Sequence, residues 1–445
     1  MDRRTFMKGL GTAIFTSAHW IRITPAQTKI RKSNVILILA DDIGYECFGC
    51  YGSKQYKTPH IDKLAETGIR FDHCYSQPLC TPSRIKIMTG QSNVRNYHDF
   101  AIMKPEEYTF AHMLKGNGYK TACAGKWQLY GHPNLSQRRT GMYPEKAGFD
   151  EYCLWQVDLL EGRYWGATLE INGHIKRFPK DVFGPDVCTD FITSFIDKNK
   201  NEPFFIYYPM ILVHDPFLRT PDSKDSNSKN RQLNYEDMVC YMDKLVGQIA
   251  SRLEEFGLRE KTLIMFTGDN GTGASITSEL KGQRIKGGKG QLTDAGTRVP
   301  LVANMPGTLP VGKVCNDLVD FSDFMPTLAD FCGGSIPTKL PIDGISFAPQ
   351  LKGENGNPRE AFYCYYNPRP TRKDTTGRFR ERRFARDHRW KLYGDGNLFD
   401  IEKDVLEMHP IKQGQGYDEA RTARIKLQAV IDSMPAKPGK IKNKK

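Results

Sequence analysis

The sequence has no apolar run that approaches the roughly 20 residues needed to span a bilayer, so we expect no transmembrane segment in the mature protein. It also lacks a regular cysteine spacing. Its eleven cysteines are odd in number and scattered, which argues against a disulfide scaffold. The C-x-x-C formed by Cys47 and Cys50 has no second pair. We interpret it as two small buried residues, with a redox or zinc role as the alternative. No internal repeat is apparent.

The body of the chain also lacks a strong excess of positive charge. The net charge of +13 comes largely from lysines and arginines in residues 1–29 and from the lysines of residues 437–445. The remaining residues are only mildly basic, which suits a site for anionic substrates and gives no reason to expect a nucleic-acid partner. We expect the basic tail to be disordered.

The first 29 residues have the features of an export signal. They begin MDRRTFMKGLGTAIF, in which the pair Arg3 and Arg4 precedes a weakly apolar stretch. This pattern resembles a twin-arginine signal, and a disordered cationic end is the alternative. It predicts the twin-arginine export machinery as a partner, and a periplasmic or secreted location in a bacterium.

Apolar runs typical of buried strands alternate with amphipathic segments typical of helices. The predicted strands cover residues 35–40 (VILILA), 119–124, 262–266 (TLIMF) and a run that begins in 204–213, and the predicted helices cover 58–68 and 234–257. This alternation favours an α/β fold with a large mixed, mostly parallel sheet flanked by helices.

The pattern changes near residue 350, where LKGENGNPRE forms a polar linker. The segments RRFARDHRWKLYG and NLFDIEKD that follow are typical of short hairpin strands. We therefore predict a catalytic domain over residues 30–350 and a small α+β subdomain with an antiparallel sheet over residues 351–445, including the basic tail.

Polar or charged side chains follow each of four predicted strands. In chain order they are Asp41 with Asp42, Lys126, His214, and Asp269 with Asn270. In open α/β sheets, ligands bind beyond the carboxyl ends of the strands. Three carboxylates and an amide are hard oxygen ligands that suit Ca²⁺ or Mg²⁺ better than zinc or copper. A helix cap or a solvated loop is the alternative for either acidic pair alone, but two pairs after buried strands favour a metal site.

The segment PLCTPSRIKIMTG places Cys80 just before a predicted helix over residues 83–89. Backbone N–H groups at a helix start favour an anion, and Pro82 suits the first turn. Arg84 follows four residues after the cysteine. A thiolate is a poor ligand for calcium or magnesium. This mismatch suggests that the working group at position 80 is not a thiol.

The same segment resembles the signature of the type I, formylglycine-dependent sulfatases, which are arylsulfatase-like members of the alkaline phosphatase superfamily. Other segments resemble the family in consistent order over roughly residues 34–404. They are LADDIGYECFGCYG and FTGDNG for the two metal loops, GKWQLYG, GGKGQLTDAGTRVP for the lysine loop, SDFMPTLADFCGG, PIDGISFAPQLKGE and NLFDIEKD.

The resemblance implies that Cys80 is oxidised to formylglycine, whose hydrated aldehyde is the nucleophile. It also implies a divalent cation, usually Ca²⁺ with Mg²⁺ as the alternative. The implied ligands of that cation are Asp41, Asp42, Asp269 and Asn270, and the formylglycine at position 80 touches it as well.

The resemblance further implies roles for four basic side chains. Arg84 would steady the formylglycine and the charge around it, and Lys126 and Lys289 would hold sulfate oxygens. His214 would contact the sulfate and protonate the leaving alcohol. These roles agree with the chemistry, because a sulfate monoester is anionic and its reaction requires cations where charge develops.

One residue departs from the family pattern. The family usually has a histidine, thought to act as a base during sulfate release, where this chain has Gln128. Glutamine cannot serve as a general base. Our hypothesis is that Gln128 reshapes specificity without abolishing turnover. His132 is a candidate substitute for the histidine, and it is equally well interpreted as a pocket or surface residue.

The substrate pocket is left open by the sequence. Aromatic residues that could stack on a sugar or an aryl ring, or simply pack in the core, are Trp127, Tyr130, Trp155 and Trp165. Basic residues that could meet a sulfated or carboxylated sugar are Arg95, His98 and Arg163. Their spacing alone does not rank them.

The sequence therefore predicts an exported sulfatase that hydrolyses a carbohydrate or aryl sulfate, with polysaccharide degradation as the favoured role. Its activation would require a formylglycine-generating enzyme or an anaerobic maturase. The alternatives are a phosphonate or phosphate-ester hydrolase of the same superfamily, and a catalytically inactive binder of sulfated glycans.

Overall fold

The computed structural model describes residues 32–132, 138–370 and 380–436. The strands in these ranges are β1 (Asn34–Ala40), β2 (Ile69–Tyr75), β3 (Lys120–Lys126), β4 (Glu151–Trp155), β5 (Thr168–Ile171), β6 (His174–Arg177), β7 (Phe204–Pro209), β8 (Thr262–Gly268), β9 (Thr277–Leu280), β10 (Gln283–Lys286), β11 (Arg298–Asn304), β12 (Lys313–Asp320), β13 (Phe362–Tyr366), β14 (Arg382–Arg386), β15 (Trp390–Tyr393) and β16 (Leu398–Asp400). The α-helices are α1 (Pro59–Glu66), α2 (Cys80–Thr89), α3 (Asn93–Asn96), α4 (Phe110–Gly116), α5 (Gly184–Asn199), α6 (Arg231–Glu255), α7 (Asp294–Thr297), α8 (Phe324–Cys332), α9 (Ala348–Leu351) and α10 (Asp418–Asp432).

Ten strands form one mixed sheet in the order β12-β2-β11-β8-β1-β7-β3-β4-β5-β6. The five neighbouring strands β8, β1, β7, β3 and β4 are parallel. Antiparallel pairs lie on either side of this parallel centre, between β11 and its neighbours and from β4 to β6. The predicted mixed, mostly parallel sheet is therefore confirmed.

Strand β1 lies within the parallel part of the sheet, and all seven of its residues are buried. Val35, Leu37 and Leu39 join a core cluster that includes residues of α2, α4 and α8. Ile36 and Ile38 join the cluster on the opposite face, which includes residues of α1, α5 and α6. A strand that is covered on both faces needs a continuous apolar run, which explains why VILILA does not alternate with polar residues.

A second, four-stranded antiparallel sheet has the order β13-β14-β15-β16. Helix α10 packs against it through residues such as Leu427. The buried Lys86 of α2 connects this sheet to the large one, since its Nζ lies 2.7 Å from Asp320 Oδ1 and 3.3 Å from the carbonyl oxygen of Tyr363. The predicted antiparallel C-terminal sheet is confirmed. The domain boundary near residue 350 stays a prediction.

The prediction that a strand begins in residues 204–213 is confirmed by β7, which ends at Pro209 before a loop. Cys47 is buried as expected, but Cys50 is only half-buried. All eleven cysteines lie in the described ranges, and no two of them form a disulfide there. In the part of the chain that the structure describes, no helix is long and apolar enough to span a bilayer. The predicted export signal over residues 1–29 and the lysine-rich end over residues 437–445 lie outside the described residues.

Candidate active site

The predicted site residues come together at the carboxyl edge of the parallel strands. Asp41 directly follows β1, Asp269 directly follows β8, and Lys126 is the last residue of β3. His214 lies in the loop after β7. These four strands are neighbours in the sheet, so their ends converge where α/β folds bind ligands.

The acidic residues contact one another directly. The backbone N–H of Asp42 donates to Asp269 Oδ1 at 3.1 Å. The side-chain amide of Asn270 donates to Asp42 Oδ1 at 2.8 Å. Asp41, Asp42, Asp269 and Asn270 are all buried. Asp42 has φ +63°, in the left-handed region, which is uncommon for a non-glycine residue and is found mainly where surrounding contacts hold the backbone.

Each carboxylate pairs with a basic side chain from another part of the chain. Lys126 Nζ lies 2.7 Å from Asp41 Oδ2. The Arg84 guanidinium donates to Asp269 Oδ2 at 2.9 Å, and it also donates to the carbonyl oxygen of Lys126 at 2.9 Å. The hydrogen bonds of the Arg84 guanidinium therefore go to the Asp269 carboxylate and to the backbone of Lys126. This geometry suits a residue that positions the site.

Asp42 faces two further basic groups. Lys289 Nζ lies 2.5 Å from Asp42 Oδ2, and His214 Nε2 lies 3.6 Å from the same oxygen. Burial opposes the charge on Lys289, but the neighbouring groups, Asp42 first and then Asp41 among them, together outweigh burial and raise the pKa of the lysine above its usual value. The ammonium group is therefore charged at neutral pH. Burial lowers the pKa of His214 to about 4, although Asp42 and Asp41 favour its protonated form.

The negative charges of the buried carboxylates are not equally balanced by neighbouring basic groups. Burial disfavours the charged form of Asp41, but Lys126, His214 and Arg84 outweigh it and lower its pKa. For Asp269, burial and the neighbouring Asp41 raise the pKa to about 7, despite Arg84. The cluster therefore has room for more positive charge beside Asp269.

Two oxygens in this cluster lack a hydrogen-bond donor among the residues that the structure describes. They are Asp41 Oδ1 and Asn270 Oδ1, and both are buried. A buried acceptor without a donor is costly and uncommon. A divalent cation would satisfy both oxygens, and the cluster offers the hard oxygen atoms that calcium and magnesium prefer. The residues therefore fit a metal site. Ligand atoms of Asp41, Asp42 and His214 also lie within 4.8 Å of one another.

Cys80 is the first residue of α2, so the prediction that it precedes the helix is wrong. The helix begins at Cys80, three residues before the predicted start at residue 83. Pro82 lies in its first turn, where a proline is tolerated because no N–H is needed there. Cys80 is only 2% exposed. Burial raises the pKa of its thiol, although Lys126 and Lys289 act in the opposite direction. A protonated thiol is a weak nucleophile and a weak metal ligand.

Gln128 lies against Cys80. Its Oε1 accepts hydrogen bonds from Cys80 Sγ at 2.9 Å and from Thr81 Oγ1 at 3.4 Å. Its backbone N–H donates to the carbonyl oxygen of Gln156 at 3.1 Å. Gln128 has φ +56° and Gln156 has φ +58°, so both backbones are left-handed. A role for His132 in place of the usual histidine stays a prediction.

The structure distinguishes the pocket residues that spacing left unranked. Arg95 forms hydrogen bonds of 2.8–3.0 Å with both carboxylate oxygens of Asp343. Trp127 is 1% exposed and packs in the core, with its indole N–H donating to the carbonyl oxygen of Met142. By contrast, Arg163 Nη2 lies 3.0 Å from His214 Nδ1. The sequence carries no signal for this contact, because the two residues come from separate loops.

Tyr130 and Trp165 are half-buried, while Trp155 is 3% exposed and lies beneath the Arg163 guanidinium. Trp155 therefore supports a basic side chain, and it offers little surface for a sugar ring to stack on.

Comparison with known proteins agrees with this arrangement. The sequence model of the Sulfatase family matches residues 33–334, and the model described as N-sulphoglucosamine sulphohydrolase, C-terminal, matches residues 288–432. Arylsulfatase D of Homo sapiens is 28% identical over 88% of this chain and 78% of its own length. Arylsulfatase A of Homo sapiens is 29% identical over 75% of this chain and 71% of its own length.

Solved structures share the architecture. The crystal structure of Ps i-CgsB superposes with a TM-score of 0.72 at 26% identity, covering 91% of this chain and 92% of that chain. The family match spans more than half of the sequence and contains the converging strand ends. The chain therefore belongs to the sulfatase family of sulfuric ester hydrolases, within the alkaline phosphatase superfamily.

Proposed function

We propose that this chain hydrolyses a sulfate monoester of a carbohydrate or an aryl alcohol at the site around Cys80. The observation that carries the proposal is the convergence of Lys126, Lys289 and a buried carboxylate cluster on that residue. A sulfate ester is anionic, and charge moves towards its bridging oxygen as the bond to the alcohol breaks. Cations fixed in a buried site stabilise that change without reorganising.

A divalent cation, calcium or magnesium, would be held by Asp41, Asp42, Asp269 and Asn270, together with the modified residue at position 80. The two donor-free oxygens of the cluster support this assignment. When bound, such a cation supplies positive charge and Lewis acidity beside the sulfate group. Three carboxylates and an amide oxygen suit calcium in particular, because it accepts several oxygen ligands.

The nucleophile in this proposal is a formylglycine made from Cys80 by a formylglycine-generating enzyme or an anaerobic maturase. The hydrated aldehyde of that residue supplies the attacking oxygen and a second hydroxyl for release of the product. The buried thiol, with its raised pKa, gives position 80 little reactivity as cysteine, which supports its role as the precursor.

The other basic residues divide the remaining tasks. The ammonium groups of Lys126 and Lys289 would bind sulfate oxygens. His214 would contact the sulfate and protonate the leaving alcohol. Arg84 would hold Asp269 and the backbone of Lys126 in place, as its two sets of hydrogen bonds indicate. Gln128 would contact the modified residue and adjust specificity.

The location of the enzyme is also part of the proposal. The pattern of residues 1–29 supports export through the twin-arginine machinery to the periplasm or beyond. A catalytic domain over residues 30–350 and a C-terminal subdomain over residues 351–445 would form the exported enzyme. Degradation of sulfated polysaccharides is the role that fits export best.

The reaction can be tested with matched aryl esters, on protein from a host that makes formylglycine. We expect hydrolysis of 4-nitrophenyl sulfate in preference to 4-nitrophenyl phosphate. Cys80→Ala should lower kcat/KM by about 10³-fold or more, because the nucleophile is lost. Cys240→Ala, on the half-buried side of α6, is the control and should retain activity. Faster turnover of the phosphate ester would favour the phosphohydrolase alternative. Binding of sulfated glycans without any turnover would favour the inactive binder.

The metal site can be tested by thermal unfolding. Adding Ca²⁺ at about 100 times its Kd should stabilise the protein by about 2.7 kcal/mol and raise Tm. Asp42→Asn should remove most of this shift, because it takes one negative charge from the cluster. Asp197→Asn, at an exposed position of α5, is the control and should keep the full shift. Equal shifts in the two variants would place the cation elsewhere.

The role of Gln128 can be tested by steady-state kinetics on 4-nitrophenyl sulfate. We expect Gln128→Ala to change kcat/KM by about fivefold while turnover persists, which corresponds to the loss of one hydrogen bond of about 1 kcal/mol. Gln248→Ala, at an exposed position of α6, should leave the constants unchanged. Unchanged constants in Gln128→Ala would remove the residue from the site's chemistry.

A further inference from the structure

Thr272 is a buried residue that connects three loops of the site. It lies two positions after Asn270, in the loop that follows β8. Its hydroxyl oxygen accepts a hydrogen bond from the backbone N–H of Gly44 at 3.0 Å, in the loop that follows β1. Its carbonyl oxygen accepts a hydrogen bond from the backbone N–H of Lys289 at 3.0 Å. One residue therefore bonds to the backbone just after Asp42 and to the backbone of Lys289.

A buried glutamate fixes the direction of the Thr272 hydroxyl. The hydroxyl donates to Glu46 Oε1 at 2.5 Å. Glu46 is 1% exposed, and its other carboxylate oxygen has no donor among the residues that the structure describes. The hydroxyl thus accepts from Gly44 and donates to Glu46, and a side chain with both roles in use has one preferred orientation.

Tyr235 holds the same loop from another direction. It belongs to α6, and its hydroxyl donates to the carbonyl oxygen of Asp42 at 3.3 Å and lies 3.4 Å from Thr272 Oγ1. Asp42 has a left-handed backbone, which persists only where surrounding contacts determine it. The contacts at Tyr235 and Thr272 supply that support.

The segment that carries Lys289 lies directly against the backbone around Thr272. A Cβ atom at Gly287 would lie 2.2 Å from the carbonyl oxygen of Gly273 and 2.7 Å from that of Thr272. Any other residue at position 287 would push the two segments apart, so glycine is required there. This close approach lets the Lys289 N–H reach the Thr272 carbonyl oxygen while its Nζ reaches Asp42.

The ion pair between Lys289 and Asp42 cannot by itself set their spacing during the reaction. Their side-chain atoms are 2.5 Å apart. In the proposed function, however, each side chain has another partner, since Asp42 binds the cation and Lys289 binds a sulfate oxygen. A spacing that persists when this pair opens must come from the backbone beneath it. Small displacements of reacting groups are costly to catalysis, so this spacing matters.

We propose that Thr272 is a positioning residue, which sets the spacing between Asp42 and Lys289 through its hydrogen bonds to both loops. The inference rests on the proposed function for the roles of those two residues. The hydroxyl acts on the loop of Asp42, and the carbonyl group acts on Lys289. Loss of the hydroxyl would leave Gly44 N–H and Glu46 without a partner and would release both loops.

Hydrogen exchange measured by mass spectrometry tests this role without metal or activity. Thr272→Val keeps the shape of the side chain and removes the hydroxyl. We expect exchange to be faster by about fivefold or more in peptides covering residues 42–46 and 287–291, as for the loss of one hydrogen bond. Thr272→Ser keeps the hydroxyl and should restore the rates of the parent protein. Unchanged exchange over residues 287–291 in Thr272→Val would overturn the proposal.

The matched control is Thr189→Val in α5. Thr189 is also buried, and its hydroxyl donates to the carbonyl oxygen of Pro185 and lies 3.0 Å from the hydroxyl of Tyr208. This variant loses a comparable hydroxyl and should leave exchange over residues 42–46 and 287–291 unchanged. The same increase in the control would indicate general loosening of the fold and would contradict the proposal.

Calorimetric titration with Ca²⁺ gives a second reading. We expect Thr272→Val to weaken Ca²⁺ binding by about tenfold, as is typical when a partner that holds metal ligands in place is lost. Thr272→Ser should recover most of the affinity. Equal affinities in Thr272→Val and the parent protein would overturn the proposal. If the parent protein binds no Ca²⁺, the proposed metal site fails, and the exchange experiment still decides the role of Thr272.

Kinetics on 4-nitrophenyl sulfate separate the two loops. Saturating Ca²⁺ should fill the metal site of Thr272→Val, but a displaced Lys289 should keep kcat/KM about tenfold or more below that of the parent protein. Full recovery at saturating Ca²⁺ would show that Thr272 serves the metal loop alone and would overturn its spacing role. An absence of turnover in the parent protein would contradict the proposed function and leave the exchange result decisive.

Discussion

Burial of three carboxylates in one place is the constraint on which the rest of the site depends. Asp41 and Asp42 follow one central strand and Asp269 follows its neighbour, so the sheet itself brings like charges together. Such a cluster is tolerated only if positive charge comes from elsewhere. Here it comes from Arg84, Lys126 and Lys289, which lie in three separate segments. A divalent cation would add to this compensation where two oxygens still lack a donor.

The fold holds Cys80, the proposed precursor of the nucleophile, in a rigid setting. All ten residues of α2 are buried, so Cys80 is fixed at the start of a helix packed on every side. Gly90 ends the helix with φ +68°, and its N–H donates to the carbonyl oxygen of Lys86. The Lys86 side chain in turn reaches Asp320 and the carbonyl oxygen of Tyr363 in the second sheet. The C-terminal strands therefore support the helix that begins at Cys80, the proposed precursor of the nucleophile.

Much of this arrangement can be predicted from sequence, for identifiable reasons. Buried parallel strands require continuous apolar runs, so VILILA and TLIMF can be recognised as strands. Polar residues directly after these strands must then lie at the ligand-binding edge of the sheet. The contacts of α6 follow the same logic, since Met238, Leu245 and Leu253 are all buried at the expected helical spacing. The exact start of a helix is harder to predict from sequence. The first turn of α2 carries no apolar pattern, so the sequence does not indicate that the helix begins at Cys80.

Other features depend on loops that no local pattern determines. The meeting of Arg163 with His214 joins two loops across 51 positions of sequence. The left-handed backbones of Asp42, Gln128 and Gln156 lie at three separate strand ends, where tertiary contacts override local preference. From sequence, Arg95 and Arg163 are equally good candidates for contacting the substrate. The structure distinguishes them, because Arg95 pairs with Asp343 and Arg163 lies beside His214.

The central claim is that position 80 works as formylglycine, and mass spectrometry of the tryptic peptide of residues 71–84 tests it most directly. The protein should come from a host able to make formylglycine, and its thiols should be alkylated before digestion. Cys74, in the same peptide FDHCYSQPLCTPSR, is an internal control that should alkylate as an ordinary thiol. We expect position 80 to appear as an aldehyde or its hydrate. Alkylation of Cys80 to the same extent as Cys74 would contradict this account of the site.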